Sequence, residues 1–286
     1  MEIIKAIILG LVQGITEFLP ISSSGHLSIF QHFLGVSGEG SLLFSVLLHL
    51  GTLIAVFIVF HKTILELITE FFDLIKIIFT GKFKFSNLEG KKKMLFMFVI
   101  SCVPLLLLLV PVGNDMKLMD VLSGFSEDDS IVVEGFCFLV TGVLLLISTY
   151  ISKKKTLTDD VTPTKAAAIG LAQVFAAGFP GISRSGSTIS TGMIFGVSKE
   201  TMVEYSFILG IPAILVANIV ELKDAIDVGA QLEILPTLIG IIVATVSGVA
   251  CIKLLQWILK KDMWKYFGFY CLTLGVVVLI CSIIGL

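Results

Sequence analysis

Residues 170–191 read GLAQVFAAGFPGISRSGSTIST. An apolar stretch breaks at Phe179-Pro180-Gly181 and restarts behind a run of hydroxyls. At the restart stands Arg184, the only arginine among 20 Lys and Arg residues. A guanidinium keeps its charge and presents a planar fork that fits two phosphate or carboxylate oxygens. Ser183, Ser185, Ser187 and Thr188 add hydroxyls, while Pro180, Gly181 and Gly186 let backbone amides come close to an anion. A helix opening at about Ser183 would turn its N–H groups and positive dipole end toward an oxyanion. Both flanks are apolar, so the break lies at membrane depth, where irregular backbone survives only if protein buries it or it lines a wet cavity. The stretch therefore predicts a re-entrant helix, loop, helix hairpin.

The whole chain supports that setting. Of its 286 residues 56% are hydrophobic and 15% charged, with a mean hydropathy of +1.03, against about 25% charged in soluble domains. Cys102, Cys137, Cys251, Cys271 and Cys281 lie singly inside apolar runs and read as packing residues rather than ligands or disulfides. The net charge of −2, with lysines confined to short loops, gives no sign of a nucleic-acid partner. The N-terminal stretch lacks a basic n-region and an A-x-A site, so a polytopic, uncleaved chain is expected.

Six apolar stretches are long enough to cross about 30 Å of hydrocarbon as helices: 42–61, 94–113, 131–151, 202–220, 234–258 and 265–285. Residues 3–35 and 166–198 are apolar but interrupted by Pro, Ser, Gly, Glu, His or Arg, and both read as re-entrant hairpins. They also resemble each other. Gly10-Leu11-Val12-Gln13 leads to Pro20 as Gly170-Leu171-Ala172-Gln173 leads to Pro180, and Ser22-Ser23-Ser24-Gly25 parallels Ser183-Arg184-Ser185-Gly186 with one residue inserted. The expected architecture is all-α: an inverted repeat of units 1–151 and 152–286, each a hairpin plus three spans, with the hairpins meeting near the midplane. Lysine-rich loops at 62–93, 152–165 and 253–265 alternate with acid-rich ones bearing Asp115, Asp120, Glu127, Asp128 and Asp129, then Glu221, Asp224, Asp227 and Glu233. The positive-inside rule makes the lysine loops cytoplasmic and both termini external. Within 62–93, ILELITEFFDLIKIIF reads as an interfacial amphipathic helix rather than a seventh span.

In the first hairpin Gln13 and Glu17 share a helix face, and an ionisable Glu17 in an apolar helix calls for a cation or metal. Past Pro20 come Ser22, Ser23, Ser24 and His26, with Ser23 the expected N-cap of the second half-helix. Hydroxyl, imidazole and carboxylate within ten residues form a nucleophile and acid/base set. His49 reads as either cavity-lining or structural, His32 and His61 as interfacial, and Glu204 as paired with a polar partner inside the bundle, either structural or positioning the second hairpin.

The run Gln13-x-x-x-Glu17-Phe18-Leu19-Pro20-x-Ser-Ser-x-Gly25-His26, with Pro180-Gly181-x-Ser183-Arg184-Ser185-Gly186-x-Thr188, resembles the undecaprenyl-diphosphatase (bacitracin-resistance) family of bacterial inner-membrane enzymes. Weaker similarity extends to Leu48-His49-x-Gly51-Thr52, to Glu204-Tyr205-Ser206-Phe207 and to overall length. The resemblance implies hydrolysis of undecaprenyl diphosphate to the monophosphate and phosphate, recycling the lipid carrier of cell-wall synthesis, with dependence on a divalent cation. The family writes its acidic motif as Glu or Gln, three residues, then Glu. Here Gln13 takes the first place, so one carboxylate remains and weight shifts to Glu17.

The expectation that follows sets the diphosphate between the two loops, with the site toward the outer side of the bacterial cytoplasmic membrane. Arg184 would clamp non-bridging oxygens, with Ser22, Ser24, Gly181, Ser183, Ser185, Gly186 and Thr188 completing the cradle. Glu17, with Gln13 as a neutral neighbour, would hold a Mg²⁺ or Ca²⁺. Either Ser23 attacks phosphorus with His26 or Glu17 as base, or His26 activates a water; residue types leave both open. The rival class is an inverted-repeat transporter or flippase of a phosphate or lipid-phosphate. A homo-oligomer is compatible with the sequence.

Overall fold

Apolar runs of this length leave the backbone few ways to satisfy its own polar groups in lipid, and the chain is helical almost throughout. The computed structural model describes residues 2–37, 39–81, 84–85, 88–113, 116–124, 131–179, 181–227, 233–261 and 263–284, without the side chains of 39, 41, 42, 120, 123, 221 and 224–227. Lys82, Asp115, Glu127, Asp128, Asp129 and Pro180 thus lie outside the described residues, as do the side chains of Asp120, Glu221, Asp224 and Asp227.

The first hairpin is α1 (Ile3–Thr16) and α2 (Ser23–Leu34), the latter closed by Gly35 in the left-handed conformation at φ 61°. Next come α3 (Glu39–Val59), α4 (His61–Phe79), α5 (Gly90–Cys102) and α6 (Leu118–Ser123). The second hairpin, α8 (Pro163–Gly178) and α9 (Arg184–Ile194), follows α7 (Val132–Ser152). The chain closes with α10 (Lys199–Asp227), α11 (Ile234–Leu259) and α12 (Trp264–Ile283). Among the described residues no strand forms, only the isolated bridges Pro111–Lys117 and Thr158–Val197.

Among the described residues five segments are long and apolar enough to cross a membrane: Gly90–Leu109, Val132–Ser152, Lys199–Val220, Ile234–Leu259 and Trp264–Ile283. The sixth expected span is the α3 stretch, which meets α4 at an 86° bend. Outward-facing Ile219, Ile242, Val246 and Ile280 are exposed, as lipid-facing side chains of a multi-span membrane protein are. The stretch expected over 94–113 starts earlier and does not stay α-helical. Pro104 lacks an N–H and its ring crowds the preceding turn, so the chain tightens into a 3₁₀ segment over Val103–Leu109 and turns extended at Val110.

Helices from before and after residue 151 interleave. α1 packs along α11, and α8 along α5 and its 3₁₀ continuation, while α3 lies against α10 and α7 against α12. The two glycines matched in sequence sit at equivalent close approaches. A Cβ on Gly10 would stand 2.6 Å from the Gly240 carbonyl oxygen, and one on Gly170 2.5 Å from that of Ser101, so only hydrogen fits where the helix backbones touch. The largest buried cluster gathers Phe18 and Ile21 of the first loop with Ile189, Met193, Tyr205, Phe207 and Trp264, and the Phe18 and Phe207 rings meet edge-on at 5.2 Å. Both hairpin tips are thereby fixed in the packed interior.

Glu204 has the polar partners expected of it, but at the margin of the bundle. It accepts from Thr63 Oγ1 at 2.9 Å and Lys91 Nζ at 3.0 Å with its side chain 35% exposed. It ties α10 to α4 and α5 near the lysine-rich end rather than inside the bundle, because its long side chain reaches the nearest ammonium there. None of the five cysteines is in a disulfide.

Candidate active site

Each half-helix after a break needs a cap for its orphan amides, and a serine supplies it in both hairpins. Ser183 Oγ accepts from Gly186 N at 3.0 Å, and Ser22 Oγ accepts from Gly25 N at 3.2 Å. The cap of α2 is thus Ser22 and not, as the sequence suggested, Ser23. The reason is conformational: Ser22 takes φ 71°, the only positive φ among described non-glycine residues, which turns its own hydroxyl back onto the helix and swings Ser23 away from it. Ser23 and Arg184 then hold the same register, each the first residue of its helix.

Both side chains converge on Glu17. Arg184 Nη2 donates to Glu17 Oε1 at 2.8 Å, and Ser23 Oγ donates to Glu17 Oε2 at 2.6 Å. Gln13 Nε2 reaches Oε2 at 3.1 Å, and His49 Nε2 of α3 lies 3.8 Å from it. The ion pair is well shielded, its side chains 19% and 7% exposed. Arg184 Nη1 also donates to the Ser206 carbonyl at 3.1 Å, and a guanidinium has five donors, so an anion arriving here finds others to use.

Of the remaining hydroxyls, those of Ser24 and Ser185 join the loops to each other. Ser24 Oγ accepts from Gly181 N at 3.1 Å, and Ser185 Oγ donates to the Leu19 carbonyl at 3.4 Å. Thr188 Oγ1 donates to the Arg184 carbonyl at 2.9 Å and lies 2.7 Å from Ser206 Oγ. Gly181 sits at φ 110° and Gly186 lies beside the Pro20 carbonyl. Ser24 and Ser185 thus fasten the tips together, Ser22 and Ser183 cap their own half-helices, Thr188 ties α9 to α10, and Glu17, Ser23 and Arg184 form a hydrogen-bonded set beside them.

His26 stands apart from that set. Its Nδ1 is 2.6 Å from the Ser22 carbonyl and its Nε2 2.8 Å from Tyr270 Oη of α12. The ring stacks on Tyr270 at 5.8 Å and 6° and meets the Phe138 ring edge-on at 5.0 Å. Both nitrogens are therefore engaged, and Glu17, not His26, is the group in contact with the Ser23 hydroxyl.

Ser206, Gly210 and Tyr270 were missed from sequence. The first lay inside a noted motif, Glu204-Tyr205-Ser206-Phe207, whereas nothing local marked the other two. A Cβ on Gly210 would sit 2.2 Å from Arg184 Nη1, so the guanidinium occupies the space a side chain there would take.

As for a cation, among the described residues no group of three His, Cys, Asp or Glu assembles. Gln13 Oε1, however, is buried without a partner beside the Glu17 carboxylate, and the Nε2 bond to Glu17 fixes which end of the amide it is. One carboxylate and one open amide oxygen suit a hard cation that takes its other ligands from water and phosphate.

Sequence comparison places this geometry. The family model described as bacitracin resistance protein BacA matches residues 6–277. An undecaprenyl-diphosphatase of Alkaliphilus metalliredigens is 38% identical over 286 residues, covering 99% of this chain and 100% of the relative. One of Methanobrevibacter smithii is 38% identical over 283 residues and one of Halothermothrix orenii 37% over 289, with 99% of each chain covered in both cases. With the match running through both hairpins and all the helices between them, the chain belongs to the bacitracin resistance protein BacA family.

Proposed function

We propose that this chain hydrolyses undecaprenyl diphosphate to undecaprenyl phosphate and inorganic phosphate, the activity named for its relatives. The observation that carries the reading is the Ser23–Glu17–Arg184 contact: a hydroxyl on a buried carboxylate, beside the sole guanidinium, at the meeting of two loops. Glu17 takes the Ser23 proton as Oγ attacks the terminal phosphorus. The bond to the bridging oxygen breaks and the lipid monophosphate leaves, its oxygen taking up the proton that Glu17 accepted. Water then cleaves the phosphoserine, with Glu17 again as base. Arg184 neutralises charge on the non-bridging oxygens. Entry of the diphosphate exchanges part of the Arg184–Glu17 pair for a guanidinium–phosphate contact, which frees the carboxylate to act on Ser23. Gln13 Oε1 and Glu17 would hold a Mg²⁺ or Ca²⁺ together with substrate oxygens, and such an ion supplies further charge neutralisation. The route through a His26-activated water has less support, since both ring nitrogens are already bonded.

The same reading makes 1–151 and 152–286 inverted repeats, with the site reached from the outer side of a bacterial cytoplasmic membrane and the chain free to form a homo-oligomer. The paired packing of α1 on α11 and α8 on α5 supports the repeat. The rival transporter reading needs the arginine but not a serine on a carboxylate. Purified protein in detergent, where no gradient exists, is expected to release phosphate from undecaprenyl diphosphate. Ser23→Ala is expected to abolish release, and a phosphoenzyme trapped on Ser23 identifies the nucleophile. Substrate binding without phosphate release would favour the transporter.

A further inference from the structure

Ser22 holds a backbone conformation that a side chain rarely adopts, at φ 71°, and such outliers cost on the order of 1–3 kcal/mol unless their surroundings enforce them. Three bonds do so here. Ser22 Oγ accepts from Gly25 N, and the Ser22 carbonyl accepts from His26 N at 3.3 Å and faces His26 Nδ1 at 2.6 Å. A carbonyl oxygen only accepts, so Nδ1 carries a proton; in the neutral ring Nε2 then has the lone pair and Tyr270 Oη donates to it. The imidazole is boxed as well, by the Phe138 edge on one side and the parallel Tyr270 ring on the other. Gly25 allows the first of these, because a Cβ there would stand 2.8 Å from Phe138 Cζ.

We infer that His26 and Tyr270 form a strut from α12 to the Ser22 turn, and that Tyr270 is a positioning residue for Ser23. The turn is what carries Ser23 off the capping position and onto Glu17. Tyr270 belongs to an element more than 240 residues away in sequence and touches neither Ser23 nor Glu17 in any described contact. Cys271 beside it reaches the Pro20 carbonyl at 4.0 Å, so α12 braces the first loop at two successive residues. The role for Ser23 in turnover rests on the proposed phosphatase activity; the strut itself does not.

The test uses full-length protein in detergent. Tyr270→Phe keeps the stacked ring and removes only the hydroxyl. It is expected to lower kcat roughly three- to tenfold, the worth of one hydrogen bond, with KM unchanged. In ¹⁵N-histidine spectra, with the His26 signals identified by their loss in His26→Asn, the wild-type ring is expected to show protonated Nδ1 and an accepting Nε2. Tyr270→Phe is expected to shift the Nε2 signal alone. His26→Asn keeps a donor for the Ser22 carbonyl and is expected to retain more activity than His26→Gln, whose amide falls at the Nε2 place. In the His26→Asn background Tyr270→Phe is expected to add nothing. Equal inactivity of His26→Asn and His26→Gln would make His26 a base and overturn the strut. So would an unchanged kcat in Tyr270→Phe, or effects of the two substitutions that multiply. If the wild type releases no phosphate, the phosphatase reading falls by itself, and the ¹⁵N spectra still decide whether Tyr270 holds His26.

Discussion

Gly210→Ala asks the most of the site's geometry for the least chemical change. The added Cβ would lie 2.2 Å from Arg184 Nη1, 2.7 Å from Cζ and 2.8 Å from Nη2, where ordinary contact begins near 3.4 Å. Gly210 is buried in α10, which packs against α3 and α9, so the side-chain end is what yields: the guanidinium lifts by roughly 1 Å, and a displacement of that size at a reacting centre costs on the order of 10²-fold in rate. The lift also pulls Nη1 from the Ser206 carbonyl, now at 3.1 Å, and loosens the 2.8 Å bond to Glu17. Loosening those two bonds lowers stability, and the better helix propensity of Ala, about 1 kcal/mol, offsets part of that loss. Phosphate release from undecaprenyl diphosphate in detergent, measured beside the thermal midpoint, separates the two effects. An activity loss on the order of 10²-fold, with a midpoint that falls far less than that of Arg184→Ala, is expected; turnover within about threefold of wild type would refute the claim that Arg184 must rest against Gly210 to act.

Arg184→Lys keeps the charge and loses the fork, so a rate loss on the order of 10² or more is expected in the same assay. Arg184→Ala, which strands the buried Glu17 carboxylate, should in addition destabilise the fold by about 3–5 kcal/mol, seen as a lower unfolding midpoint. Gly10→Ala and Gly170→Ala each press a methyl onto a backbone carbonyl at 2.6 and 2.5 Å and should cost about 1–3 kcal/mol apiece, with similar midpoint shifts for the two. Chelation with EDTA should stop phosphate release and added Mg²⁺ or Ca²⁺ restore it; undiminished turnover in EDTA would leave Gln13 and Glu17 without a cation. Asp159, in the exposed loop before α8, accepts from Ser198 Oγ and Thr201 Oγ1, and these hydroxyls hold its pKa below the usual aspartate value. A lowered pKa means that the stabilisation is present above the ordinary value and is lost as pH falls through the lowered one. Asp159→Asn should thus unfold earlier than wild type at neutral pH, with the gap closing in acid.

Hydropathy runs, proline breaks and the placement of lysines are local, additive properties of the chain, and they sufficed for an all-helical membrane protein with two broken hairpins. A lone Arg184 and a lone Glu17 in apolar surroundings were legible for the same reason: each is costly there without a partner, so each announced that one exists. Which partner it was is another matter. The Glu17–Arg184 bond joins residues 167 apart and the His26–Tyr270 bond residues 244 apart. Such pairs are set by how helix surfaces stack, and no repeat or composition encodes that stacking. So the sequence offered Ser23 as a cap and left His26 and Glu17 as equal candidates for the base. Tertiary packing turned Ser22 into the cap through a strained φ, sent His26 to α12, and left Ser23 against Glu17. Gly210 makes the same point from the other side, for a missing side chain carries no signal until a guanidinium is found lying where it would have been.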